Sequence, residues 1–258
     1  MGNYSRKGDS ATLWMMKCVK QFGILNVTPD SFSDGGAFLQ TEEAVSQAGK
    51  LIVDGADYID IGGESTRPHS QWVPPDEEWG RVESIVEQLI KLYPGQISLD
   101  TRNVATAQKF LDAGGTILND VSGFQNPEMR VLAPKFEKII VMHFPGKTVE
   151  EVHEQHIDSV QKVRDELLQR KAELLQAGVD SASIILDPGI GFGKTMECNW
   201  ELLKFSKLLL NENILIGHSR KRFLGEHRFE AECNQKAGDI AVAAGAKYVR
   251  VHAVMKIM

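Results

Sequence analysis

Short apolar runs alternate with amphipathic stretches along the chain from Phe22 onward, regularly enough for elements to be assigned from the pattern. Runs rich in β-branched and aliphatic residues predict strands at 22–26, 58–61, 97–100, 116–120, 139–143, 184–187, 214–217 and 248–252. Between them the polar and apolar pattern predicts helices at 41–54, 76–92, 104–113, 127–134, 149–177, 199–208 and 232–244. Gly55-Ala56, Gly114-Gly115, Ala177-Gly178 and Gly245-Ala246 each put a Gly between a helix and the next strand, where a C-terminal helix stop belongs.

Strict alternation of strand and helix implies parallel pairing with right-handed crossovers. Eight strands in 258 residues fit an α/β fold of the (β/α)8 TIM-barrel type, whose sites lie at the C-terminal ends of the strands. Only Ala253 to Met258 follow the eighth strand, so the barrel is expected to lack its final C-terminal helix. Either the chain is truncated, or the first twenty residues or a partner cover the face that helix would bury. Residues 1–20 are polar and irregular and read as a poorly ordered extension, with 21–258 forming one barrel domain.

Composition narrows the partners. Hydrophobic content of 42% and charged content of 25% describe an ordinary globular protein, and a net charge of −6 excludes general nucleic-acid binding, which needs a basic surface. Any anionic ligand must be met by local Arg and Lys. Cys18, Cys198 and Cys233 are odd in number and far apart, with no C-x-x-C pair, so neither a disulfide framework nor a zinc site is indicated and a reducing cytoplasm is the expected location. The N-terminus has no signal-peptide core, Arg6 breaks the myristoylation pattern, and no apolar run is long enough to span a membrane.

The strands end in polar residues: Asn26, Asp60 with Glu64, Asp100, Asn119-Asp120, His143, Asp187, His218-Ser219-Arg220-Lys221, and Arg250 with His252. One such Asp is ordinarily a helix cap or turn former. Nearly every strand ending this way points to a shared rim, because polar groups near a barrel core need partners. Asp100, Asn119 and Asp187 offer acceptors to a flat heterocycle with in-plane N–H donors. Arg67, Lys221, Arg250 and His252 offer positive charge to a phosphate or diphosphate.

Three other motifs fail on inspection. DPGIGFGKT at 187–195 approaches a Walker A loop but has Pro188 where Gly is required, and Pro supplies no N–H to a phosphate. HEQH at 153–156 is one residue short of the H-E-x-x-H zinc spacing and reads as a solvated helix surface. No G-x-S-x-G elbow is present.

Seven segments then carry a resemblance: GILNVTPDSFSDGG at 23–36, IDIGGESTRP at 59–68, SLDT at 98–101, LNDVSG at 118–123, LDPGIGFGKT at 186–195, HSRKRFLG at 218–225 and RVH at 250–252. Together and in this order they closely resemble dihydropteroate synthase, a pterin-binding (β/α)8 barrel family. The resemblance implies condensation of 6-hydroxymethyl-7,8-dihydropterin diphosphate with p-aminobenzoate, giving 7,8-dihydropteroate and pyrophosphate for folate synthesis. It implies that Asp100, Asn119, Asp187 and Lys221 hold the pterin with Phe192 packing near it. Thr66, Arg67, Arg250 and His252 are implied to bind the diphosphate, and Asn26 to meet a Mg²⁺ on the leaving group. The loops carrying Phe32, Asp34 and Pro68 are implied to close over the diphosphate and build the aminobenzoate pocket, with the helix start at Lys221-Arg222 receiving the carboxylate. Sulfonamides would compete there, and a homodimer is expected from the family.

The chemistry fits an SN1-like path, since loss of pyrophosphate from a CH₂ on an electron-rich ring leaves a delocalised cation that Asp34, Asp100 and Asp187 would favour. Departures from the family pattern are His69-Ser70 after ESTRP, the shorter MHFPGKT segment after the fifth strand, and Ala253-Val254 after RVH. Two rival readings stand beside the synthase: a non-catalytic or truncated pterin-binding protein, and the folate-binding part of a corrinoid methyltransferase.

Overall fold

The computed structural model describes residues 19–27, 36–65, 70 and 72–257, without the side chains of 36–39. Eight parallel strands occur in it: β1 (Lys20–Asn26), β2 (Tyr58–Gly62), β3 (Ile97–Asp100), β4 (Ile117–Asp120), β5 (Lys138–Met142), β6 (Ile184–Asp187), β7 (Leu215–Ile216) and β8 (Tyr248–Val251). They pair in the order β6-β5-β4-β3-β2-β1-β8-β7. A parallel bridge from Leu186 to Ile214 joins the two ends of that order, giving a nearly closed (β/α)8 barrel. Around it lie α1 (Gly36–Val53), α2 (Pro75–Leu92), α3 (Val104–Asp112), α4 (Pro127–Leu132), α5 (Val149–Glu154), α6 (Val160–Gln176), α7 (Met196–Leu202) and α8 (Ala231–Ala243).

Period-two alternation explains the two layers of core. Ile59, Ile61, Ile97, Leu99, Ile139, Val141, Ile184 and Leu186 are buried in one large cluster with helix residues such as Val82, Leu89, Phe110 and Leu167. The alternate positions Phe22, Ile117, Ile140, Ile185 and Leu215 form a separate cluster with Tyr58 and Tyr248 packed against it. Phe22 stacks on Tyr58 with ring centroids 4.6 Å apart. Two residues further along the same faces stand Asp60, Asn119, Asp187 and Arg250, so the barrel interior changes from apolar to polar toward the C-terminal ends of its strands.

The helix stops hold: Gly55, Gly114, Gly178 and Gly245 have φ of +111°, +93°, +93° and +97°, a region a Cβ disfavours. One helix expected at 149–177 is two. The chain leaves α5 at Gln155 and Ile157 pairs with Lys194, its N–H donating to Gly193 at 2.9 Å and its carbonyl accepting from Thr195 at 2.9 Å. Ser159 then caps α6 by accepting from the Lys162 N–H. The expected helix at 199–208 is likewise α7 followed by a short 3-10 turn at Phe205–Leu208.

No helix follows β8 among the described residues. Instead Met255 is buried against Val249 and Val251. Gln21 brackets that residue, donating to the Met255 carbonyl at 3.0 Å and accepting from its N–H at 2.9 Å. Gln235 brackets Lys256 in the same way at 2.9 and 3.0 Å. The segment after β8 thus packs on β8 and is tied to β1 and α8.

Candidate active site

The polar upper interior is a connected network centred on Asp60, which is fully buried. Its Oδ1 accepts from Ser98 Oγ at 2.6 Å, and its Oδ2 accepts from Asn119 Nδ2 at 2.9 Å and from Arg250 Nε at 2.5 Å. Arg250 extends its second arm to Asp100 Oδ2 at 2.7 Å. Four strands, β2, β3, β4 and β8, therefore meet through side chains. Burial works against the Arg250 charge, but Asp60 and Asp100 outweigh it and hold the guanidinium protonated well above its ordinary range. Burial, opposed by Arg250 and reinforced by Asp60, raises Asp100 above the usual carboxylate range. Two carboxylates, one fully buried and one partly exposed, thus share one cation.

Asp187 ends β6 and is raised chiefly by burial, against the pull of the Gly189 N–H, Lys221, Arg250 and Lys194. Its Oδ1 accepts from that N–H at 2.7 Å, while Oδ2 lies 3.5 Å from the position a Gly217 Cβ would take. Lys221 reaches across Gly191 and sets its ammonium 4.3 Å from the centroid of the Phe192 ring. Burial first and Arg250 second push Lys221 down to about 8, with Asp187 and Asp100 opposing. Phe192 is shored from behind by the β5–α6 connection, in a cluster with Val121, Met142, Phe144, Val149 and Val152. His153, expected on a solvated surface, instead stacks on Phe192 at 5.9 Å. Gly193 permits this packing, since a Cβ there would stand 2.3 Å from the Val152 carbonyl oxygen.

The Walker-like loop is spent internally. The Gly189 N–H goes to Asp187, the Gly191 N–H to Asn199 Oδ1 at 2.7 Å, and the Phe192 N–H to the Gly189 carbonyl at 3.1 Å. Lys194 Nζ donates to the Phe192 and His143 carbonyls at 2.8 and 3.3 Å. With its donors satisfied internally, the loop is not a phosphate cradle.

On the other side of the mouth, Ser219 Oγ bonds His252 at both the backbone N–H (3.3 Å) and Nδ1 (3.1 Å). Arg222 is exposed and opens a 3-10 helical segment (Arg222–Phe229) behind Lys221, where a helix start is expected, with a break at Gly225. Asn26 ends β1, its Oδ1 3.8 Å and the Asp100 Oδ2 4.0 Å from where a Gly62 Cβ would be. Phe32, Asp34, Thr66, Arg67 and Pro68 lie outside the described residues.

Strand parity removes two rim candidates, His143 and Asp120, and side-chain pairing removes a third, Glu64. His143 follows the inward Met142, so its ring turns away from the barrel and Nε2 meets Glu166 of α6 at 2.8 Å. Burial pushes that imidazole down to about 2, leaving it neutral with Nε2–H as the donor. Asp120 follows Asn119 and ties the next turn, accepting from the N–H groups of Ser122 (2.8 Å) and Phe124 (2.9 Å). Glu64 accepts the Arg102 fork at 2.8 and 2.9 Å together with the Val73 N–H at 3.2 Å.

The pattern of a pterin binding enzyme matches residues 22–252. A protein of Neisseria meningitidis serogroup C named dihydropteroate synthase is 40% identical over 249 residues, covering 91% of this chain and 88% of its own length. The chain belongs to the dihydropteroate synthase family. A Haloferax volcanii protein named as a probable bifunctional folylpolyglutamate synthase/dihydropteroate synthase is 43% identical over 90% of this chain, which spans only 28% of that relative. A Xanthomonas albilineans dihydropteroate synthase, solved with 4-aminobenzoic acid, superposes with a TM-score of 0.83 at 34% identity, covering 92% of this chain and 88% of that one.

Against this dihydropteroate synthase background, the structure unites Asp100, Asn119, Asp187, Lys221, Phe192 and Arg250 at one end of the barrel. The roles of Asp60 and Ser98 were not assigned from sequence. Their signal was parity, because register pairs Asp60 with Ser98 and sets Asn119 beside Asp100, one step further along the same inward face.

Proposed function

We propose that this chain condenses 6-hydroxymethyl-7,8-dihydropterin diphosphate with p-aminobenzoate, a transfer of the pterin-methyl group. The observation that carries the reading is the acidic upper interior, in which Asp100, Asn119 and Asp187 gather with Lys221 and Arg250 at the strand ends. A flat ring rich in N–H donors satisfies the acceptors, and the lysine and arginine suit its carbonyl and the charge of its substituent.

In this reading Asp187 and Asn119 orient the ring, and Asp100 and Asp187 favour positive charge developing on it as pyrophosphate leaves. Arg250 and His252, joined by Thr66 and Arg67, bind the diphosphate. Among the described residues no cluster of three or more His, Cys, Asp or Glu could hold a metal. A Mg²⁺ would arrive with the diphosphate, since it takes few protein ligands and completes its shell with phosphate oxygens and water. Asn26 Oδ1, near Asp100 at the mouth, would hold it, and the ion would neutralise charge on the leaving group. Phe32 and Pro68 would flank the aryl ring while Phe192 packs near the pterin, with Arg222 near the aryl carboxylate and Asp34 in the closing loop. Sulfonamides would compete for that position.

No helix among the described residues is long and apolar enough to cross a membrane. A cytoplasmic homodimer is the proposed state. The test is pyrophosphate release from the pterin diphosphate with and without Mg²⁺ and p-aminobenzoate. Release that depends on both supports the assignment, and no release, or release indifferent to both, refutes it.

A further inference from the structure

We propose that Asp60 is a positioning residue that fixes the donor and acceptor polarity of the ring pocket by holding Asn119 and Arg250 in single orientations. The inference rests on the reading that this pocket takes a pterin.

A carboxamide has two flips of nearly equal shape, and a site that reads N–H donors must prevent the wrong one. A carboxylate can only accept, so Asp60 Oδ2 at 2.9 Å admits the Asn119 amine and excludes its carbonyl oxygen. Asn119 Oδ1, which meets no donor among the described residues, is left as the acceptor for the ligand. The same Oδ2 takes Arg250 Nε, and with Asp100 on the other arm the guanidinium plane is set by two carboxylates. Ser98 completes the device. Its hydroxyl donates to Asp60 Oδ1 at 2.6 Å, from the ladder position directly beside Asp60. Asp60 is fully buried at the level between the apolar floor and the mouth, where it touches the ligand's neighbours and not the reacting atoms.

Ser98 gives the arrangement a distinctive signature, because a hydroxyl can accept as well as donate. In Asp60→Asn the carboxamide can keep its oxygen toward Asn119 and Arg250 while its amine donates to Ser98. That variant should bind 6-hydroxymethylpterin within about threefold of the native protein. Asp60→Ala removes the acceptor and should raise the dissociation constant at least about tenfold. Ser98→Ala should cost little while the Asp60 carboxylate is present. Added to Asp60→Asn, it leaves the new amine without an acceptor beside the donors of Asn119 and Arg250, so the pocket loses its single arrangement and the double variant should bind at least about tenfold more weakly than Asp60→Asn alone.

Dissociation constants of 6-hydroxymethylpterin would be measured by calorimetry for the native protein, the two Asp60 variants, Ser98→Ala and the double variant. Should Asp60→Ala fail to fold, the Ser98 comparison decides by itself. A Ser98→Ala effect equal in both backgrounds, or native affinity in folded Asp60→Ala, overturns the proposal. Absence of pterin binding by the native protein overturns the functional reading instead.

Discussion

Replacing Asp187 by Asn tests the pocket at its most informative acceptor. The native carboxylate is 6% exposed and uses Oδ1 on the Gly189 N–H at 2.7 Å, a bond that an Asn carbonyl can keep. The change is therefore confined to Oδ2, where a charged acceptor becomes a neutral donor beside Gly217. A ring N–H that met a carboxylate would face another N–H. Loss of one or two charge-assisted hydrogen bonds costs roughly 1.5–3 kcal/mol, which corresponds to roughly a 10- to 150-fold rise in the pterin dissociation constant. Burial raises the native carboxyl, so removing its charge also relieves a desolvation cost, and the variant should fold at least as stably. Calorimetric titration with 6-hydroxymethylpterin reads the affinity, and a thermal melt reads the fold. A dissociation constant within threefold of native in a folded variant would refute the reasoning.

Lys221 predicts a pH dependence. With its ammonium pushed down to about 8, the charge is lost as pH rises through that value, so pterin affinity should fall above about pH 8, by at most tenfold per unit. Lys221→Arg, which does not titrate there and leaves Lys194 in place, should flatten the fall; an unchanged slope would assign it elsewhere. Asp120→Ala should lower stability by roughly 2–4 kcal/mol in urea, because it strands the N–H groups of Ser122 and Phe124 in a turn with positive φ at Gly123 and Phe124. A loss under about 1 kcal/mol would show that water replaces the carboxylate.

Rim chemistry was legible in the residue types at the strand ends, but residue type alone did not say which of two adjacent polar residues faces inward. Asn119 and Asp120 are equally polar, and only pairing with β3 turns one to the pocket and the other to its own loop. His143 was read at the rim for the same reason and belongs to the flank. His153 was read as surface because its partner, Phe192, lies in a loop far along the chain.

By itself the sequence determined the order of elements, the barrel and the acidic and basic sets at its mouth, because those depend on local period and residue type. Tertiary structure decided the connections among those sets: Asp60 between Ser98, Asn119 and Arg250, Lys221 over Phe192, and Met255 on the face of β8. Such contacts join residues up to 234 positions apart, as Gln21 and Met255 are, and only strand register and barrel closure bring them within hydrogen-bond reach.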